Sequence, residues 1–137
     1  MVDVSLLRQS LELALRRSPN FTTRFYDTLF RRYPSLRPMF QRSLRNVQER
    51  RFEAALRSIV EHLEDGPWLG ETLRALGAKH AGYGVTREMY DWFGDALLRT
   101  LADTAGDDWG PALEESWVEA YRLIVTSMRA GEEPAAR

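Results

Sequence analysis

The stretch Leu73–Gly94, LRALGAKHAGYGVTREMYDWFG, is the one whose reading decides the fold. Leu73, Leu76, Gly77 and His80 recur at i, i+3, i+4 and i+7, the buried stripe of one amphipathic helix. The last member of that stripe is a histidine, and Gly82 and Gly84 then stop the helix. Thr86 is a candidate N-cap for the next helix, which carries Tyr90, Phe93 and Leu97 on its inner face. An imidazole is thus aimed into an apolar interior from a helix end, beside a ladder of aromatic rings. Spacing alone leaves two readings open: a core histidine bonded to a carbonyl, or an axial ligand to a metal or haem.

Outward from this stretch the helical period continues. Asp3 or Ser5 can cap a first helix with Leu6, Leu7, Leu11, Leu13 and Leu15 on its apolar side, closed by the turn Ser18–Pro19–Asn20. A second helix from about Phe21 to Tyr33 has the stripe Phe25, Tyr26, Leu29, Phe30 and Tyr33, and Pro34 opens a short third, PSLRPMF, with Phe40 turned inward. A long helix from about Leu44 to Leu63 places Gln48, Phe52, Ala55, Leu56, Ile59 and Leu63 inside. Asp65–Gly66–Pro67 reads as a turn, with Trp68 or Leu69 starting the helix that ends at His80. The Thr86–Ala102 helix is followed by a loop, and Pro111 opens a last helix holding Leu113, Trp117, Tyr121, Ile124, Val125 and Met128. No segment alternates as a strand does. The expectation is an all-α fold of about seven helices in two layers crossing at steep angles.

Composition narrows the class. A chain of 137 residues, 44% hydrophobic and 28% charged, fits one globular domain over 1–137, with a core of 3–130 and a frayed tail 131–137. The absence of cysteine excludes disulfides and thiolate metal sites, and suits a cytoplasmic location. No apolar run exceeds three residues, so no membrane span is expected, and a net charge of −1 argues against nucleic acid as a partner. Of 19 basic residues one is lysine, Lys79, beside the histidine.

Tyr26, Gln48 and His80 are three polar residues on the apolar stripes of three different helices. Each alone has a structural explanation; together they describe a cavity with an imidazole on one wall and hydrogen-bond donors on the other. The other histidine, His62, is 14 residues beyond Gln48 on one helix, roughly 21 Å at 1.5 Å per residue, so the two histidines cannot share a small site. There is no HExxH and no carboxylate cluster at ligand spacing. A cofactor that brings four equatorial ligands of its own suits a single histidine best.

FYDTLFRRYPSLRPMF (25–40), KHxxYGVxxxxY (79–90), GDALL (94–98) and ESWVEAY (115–121) resemble bacterial globins, both single-domain bacterial haemoglobins and the globin domain of flavohaemoglobins. The resemblance covers roughly residues 3–130. It implies a globin fold, a 3-on-3 helical sandwich, and haem b (iron protoporphyrin IX) as cofactor. His80 corresponds to the axial ligand of the iron, Phe40 to the phenylalanine against the haem, and Tyr26 to the distal tyrosine. Gln48 takes the distal position on the long helix, followed by Phe52 where the family usually has leucine. A shift of two residues in the variable segment 41–47 would place Arg50 there instead. Tyr90 and Glu132 match the tyrosine and glutamate behind the proximal histidine, Glu132 by ungapped counting from Tyr121 alone. Lys79 is a candidate partner for a haem propionate, and Val85 and Phe93 complete the residues expected around the cofactor.

The resemblance implies reversible binding of O2, and of NO and CO, at ferrous iron, with high O2 affinity from donation by Tyr26 and Gln48. Oxygen storage or transport, NO dioxygenation to nitrate, or a peroxidase-like activity would follow. Turnover would need a separate reductase, since the sequence ends at Arg137 without one; the arginines of residues 31–57 could dock an acidic partner, hold propionates, or form a solvated face. A monomer or weak homodimer is expected. Two rivals are a haem-based gas or redox sensor acting through a partner, and a globin fold without haem, for which loss of the histidine would be expected.

Overall fold

The polar residues, prolines and glycines that punctuate the sequence also end helices in the computed structural model, which describes residues 2–40 and 44–132. Asp3 caps α1 (Val4–Arg17) by accepting the Leu6 N–H at 3.0 Å. α2 spans Phe21–Arg32, and Pro34 then opens a 3-10 segment, Pro34–Phe40, its fixed φ and missing N–H suiting a first turn. α3 (Arg45–Glu61), α4 (Gly66–Gly82), α5 (Arg87–Ala105) and α6 (Pro111–Ala130) follow, with a short 3-10 turn at Gly106–Asp108. No strand occurs among the described residues.

The all-α expectation holds, and several boundaries move for local reasons. α4 starts at Gly66 and not at Trp68 or Leu69, because the Asp65 carboxylate accepts the Trp68 N–H at 3.2 Å and Pro67 is tolerated in a first turn. It also runs past His80 to Gly82. The chain turns at Gly84, whose φ of 88° is the left-handed region that favours glycine. α5 extends to Ala105, beyond the expected Ala102, and the expected loop after it contains the 3-10 turn. Of the expected frayed tail, residues 133–137 lie outside the described residues.

The helices form two packed groups. α2 lies against α5 and α3, and α1 touches α3, α5 and α6; α4 packs most extensively on α6. The larger cluster is built on Leu7, Phe21, Phe25 and Leu29, all fully buried. Full burial of such a side chain is worth about 1.5–3 kcal/mol. A smaller cluster of Ile59, Leu73, Tyr90 and Met128 gathers behind α4. Gly77 sets the distance between α4 and α6: a Cβ there would lie 1.7 Å from the Met128 carbonyl oxygen. The two backbones touch at that point, one turn before His80.

Candidate functional site

Tyr26 sits on α2 at 1% exposure, inside a cage of rings. Phe40 meets it edge-on with centroids 5.7 Å apart, Phe52 at 5.9 Å, and Phe30 tilts over it at 5.9 Å. Phe25 stacks on Phe52 at 4.7 Å, and Phe93 of α5 packs against Phe25 at 4.7 Å and Phe52 at 5.2 Å. Among the described residues the phenol's hydrogen-bond partner is Gln48 of α3, whose Nε2 donates to Tyr26 Oη at 3.2 Å. Because the amide donates, the tyrosine O–H remains free to donate in turn. Burial pushes the Tyr26 pKa up to about 12, outweighing the opposing hydrogen bond from Gln48, so the group stays a neutral phenol at physiological pH. Arg50, the alternative to Gln48, is exposed and lines an open groove with Pro19, Thr22, Asn46, Glu53 and Arg57.

His80 lies in the last turns of α4, half-buried. Its Nδ1 is 2.8 Å from the Leu76 carbonyl oxygen, four residues back. A carbonyl only accepts, so this contact assigns the proton to Nδ1 and leaves the Nε2 lone pair free to ligate a metal. The Tyr90 ring lies nearly parallel to the imidazole, at 20° with centroids 6.4 Å apart. Tyr90 Oη is buried and has no hydrogen-bond partner among the described residues. Burial raises the Tyr90 pKa, and the negative charge of Glu132 raises it further. Glu132 follows the end of α6 and is held by Arg129 Nε at 3.3 Å. Val85 is tied to the same region: its N–H donates to the His80 carbonyl at 3.0 Å, and its side chain packs in the cluster with Leu73, Tyr90 and Met128. Lys79 is exposed.

α5 joins the two halves. Tyr90 faces His80, and Phe93, one turn later, faces the rings beneath Tyr26. α5 thereby touches both the imidazole on α4 and the rings packed around Tyr26. His62 does not join them. It makes the same bond to a carbonyl, Nδ1 to Ser58 O at 2.8 Å, but at the far end of α3, where its ring stacks on Trp68 at 3.9 Å. The histidine–carbonyl bond is therefore common to both; the surroundings distinguish them. No group of three or more His, Cys, Asp or Glu side chains placed to hold a metal occurs among the described residues, so a metal bound here needs ligands from elsewhere. No helix among them is long and apolar enough to cross a membrane.

Sequence reading missed the ion pairs around the distal pair. Arg45 Nε donates to Glu49 Oε2 at 2.8 Å, and Arg45 Nη2 donates to Asp27 Oδ1 at 2.8 Å and to the Thr23 carbonyl at 3.0 Å. The Arg45–Glu49 spacing of i, i+4 was a visible signal; the partners on α2 carried none.

The chain matches the Globin family over residues 23–128. A flavohaemoprotein of Chromobacterium violaceum is 25% identical over 126 residues, covering 90% of this chain, and one of Vibrio cholerae is 24% identical over 123 residues, covering 88%. The chain spans 31% of the length of each of these relatives. Among solved structures, a Pseudomonas aeruginosa protein described as structurally highly homologous to a human haemoglobin superposes with a TM-score of 0.81 at 22% identity, over 96% of this chain and 98% of that one. A bacterial globin from Campylobacter jejuni gives 0.78 at 20% identity, over 94% and 93%, and an engineered carbene transferase from Rhodothermus marinus gives 0.81 at 23%, over 96% and 94%. With an all-α layered fold, a histidine near the end of α4 and a family match over most of its length, the chain belongs to the globin family.

Proposed function

We propose that this globin binds haem b with His80 Nε2 as the axial ligand and retains O2 tightly, with NO and CO as alternative ligands. The residues fit the group: the Nδ1–Leu76 bond leaves one ring nitrogen available, and no further set of side chains that a bare iron would need occurs among the described residues. Haem, when bound, supplies a ferrous centre with one open coordination position for a diatomic gas. Phe40, Phe52, Phe93 and Val85 would form the apolar walls, and Lys79, exposed beside the histidine, would reach a propionate.

The observation that carries the reading is the Tyr26–Gln48 pair. This chain holds a neutral phenol with a free proton in a ring-lined interior, which would donate to a gas ligand carrying partial negative charge. Gln48 orients that phenol by donating to its oxygen, and its second N–H can serve as a second donor. The surrounding phenylalanines exclude water, which strengthens each such bond. Two bonds of about 1–2 kcal/mol each would slow O2 release by about 100-fold. On the other side, Tyr90 with Glu132 behind it would increase the electron-donating character of His80.

Tight retention suits oxygen chemistry better than delivery. The reaction supported best is NO + O2 + e⁻ → NO3⁻, with the electron supplied by a reductase. Absorption spectra of the purified protein, reduced and then exposed to CO, test the cofactor. A Soret band that shifts with CO in the wild type and is lost or altered in His80→Ala is the expected result; absence of the band after haemin addition would sink the reading. Stopped-flow mixing of NO with the oxygenated protein tests the reaction.

A further inference from the structure

Four residues that tie α3 to α2 occupy the same two helical turns as the distal pair. On α2, Thr23 and Asp27 bracket Tyr26; on α3, Arg45 and Glu49 bracket Gln48. Arg45 donates to the Thr23 carbonyl, Asp27 and Glu49, while Thr23 Oγ1 donates to Glu49 Oε1 at 2.7 Å. The guanidinium also lies over two rings, 5.7 Å from the centroid of Tyr26 and 5.7 Å from that of Phe30. Its position is unusual for a helix start. α3 has no side-chain cap and no acidic residue in its first turn, and a cation there opposes the helix dipole. The planar fork, bonded to three acceptors on two helices, is therefore spent on joining α3 to α2 and not on stabilising its own helix end.

We propose that Arg45 is a positioning residue for the distal site: through Asp27, Glu49 and the Thr23 carbonyl it sets the separation of Tyr26 Oη and Gln48 Nε2, and so the aim of the free phenol proton. This inference rests on the function proposed above. Loss of the clamp lets α3 shift relative to α2 by a few tenths of an ångström at the 3.2 Å amide–phenol bond, enough to weaken it, because hydrogen bonds lose strength steeply beyond their normal range.

The test uses the haem-loaded protein and two readouts, the O2 release rate and the C–O stretching frequency of the CO complex, which reports donation from the distal side. Arg45→Gln is expected to speed O2 release by about tenfold, equivalent to loss of one hydrogen bond. It is also expected to move the C–O stretch toward the value in Tyr26→Phe. Combined with Tyr26→Phe it should add nothing further, because Arg45 acts through the tyrosine. Arg45→Lys, a point charge without the fork, should remain close to Arg45→Gln; full rescue by lysine would overturn the positioning role in favour of charge alone. If Arg45→Gln does not fold, Glu49→Gln and Thr23→Val interrupt the same clamp from its other ends and carry the same expectation. Wild-type release and stretch in the clamp variants, with Tyr26→Phe altered, would refute the inference and leave the distal site standing. Unchanged release in Tyr26→Phe itself would refute the site.

Discussion

Gln48 shows how a single polar residue acquires a role from its neighbours. An amide on an apolar stripe would cost about 1–3 kcal/mol if left unpaired, and this one is bonded to Tyr26 at 3.2 Å. The direction of that bond matters more than its length, because an amide donor leaves the phenol proton for a ligand. Tyr26→Phe and Gln48→Leu are therefore each expected to speed O2 release by more than about tenfold. Their effects should be less than multiplicative in the double variant, since the two residues share one bond; stopped-flow displacement of O2 by CO measures both. Independent, fully multiplicative effects would mean that the shared bond is not what orients the phenol. Tyr90, beside the imidazole, has a buried hydroxyl without a hydrogen-bond partner among the described residues, with the charge of Glu132 close enough to raise its pKa.

Among the elements, α4 is the one whose placement matters most, because it carries His80. Its start depends on Asp65 and its depth on Gly77. Asp65→Ala removes the cap on the Trp68 N–H and is expected to lower stability by about 1 kcal/mol in urea unfolding. Gly77→Ala would place a methyl group 1.7 Å from the Met128 carbonyl oxygen, which no rotamer change can relieve. The helices must separate, so a loss of about 3 kcal/mol or more is expected, together with weaker haem retention as His80 moves with its helix. Normal stability and haem affinity in Gly77→Ala would show that the α4–α6 contact does not hold the histidine in place. Gly94 makes the corresponding contact on α5, where a Cβ would overlap the Tyr121 ring at 2.5 Å.

The molecule as a whole should respond to pH at both extremes. Burial raises the pKa of Tyr26, Tyr90 and Tyr121, that of Tyr26 to about 12. A raised folded-state pKa means that the fold favours the protonated form. The associated stability is fully present below pH 10 and is lost as pH rises from 10 toward 12. For Tyr26 this amounts to on the order of 3 kcal/mol. Absorbance at 295 nm should show these phenols ionising together with loss of helicity by circular dichroism; ionisation of all of them in a still-helical protein would contradict their burial. At the acid end, partial burial would raise the Asp95 pKa, but hydrogen bonds from Tyr33, Arg99 and Arg32 outweigh it and the net shift is downward. Asp95 thus contributes stability above its unfolded-state pKa, about 3.9, which is lost as pH falls below that value. Asp95→Asn should flatten the acid limb of the stability curve.

The helical class and the buried face of each helix were set by the sequence itself. Apolar residues at a period near 3.6 choose the buried face of a helix, and His80, Tyr26 and Phe52 belong to such stripes whatever the helices later pack against. Caps are equally local, so Asp3 and Thr86 are legible in the sequence, whereas Asp65, expected in a turn, is the N-cap of α4. Relations between helices are another matter. Whether Gln48 or Arg50 meets Tyr26 depends on how α3 is rotated against α2, and a two-residue shift turns a side chain by about 200° at 3.6 residues per turn. The contact of Gly77 with Met128 and the bonds of Arg45 to Thr23 and Asp27 join residues far apart in the chain through close backbone approach or a long side chain, neither of which leaves a periodic trace. The sequence determined which faces are buried, because that follows from each helix alone; the tertiary structure decided which polar atoms meet, because that depends on the register between helices.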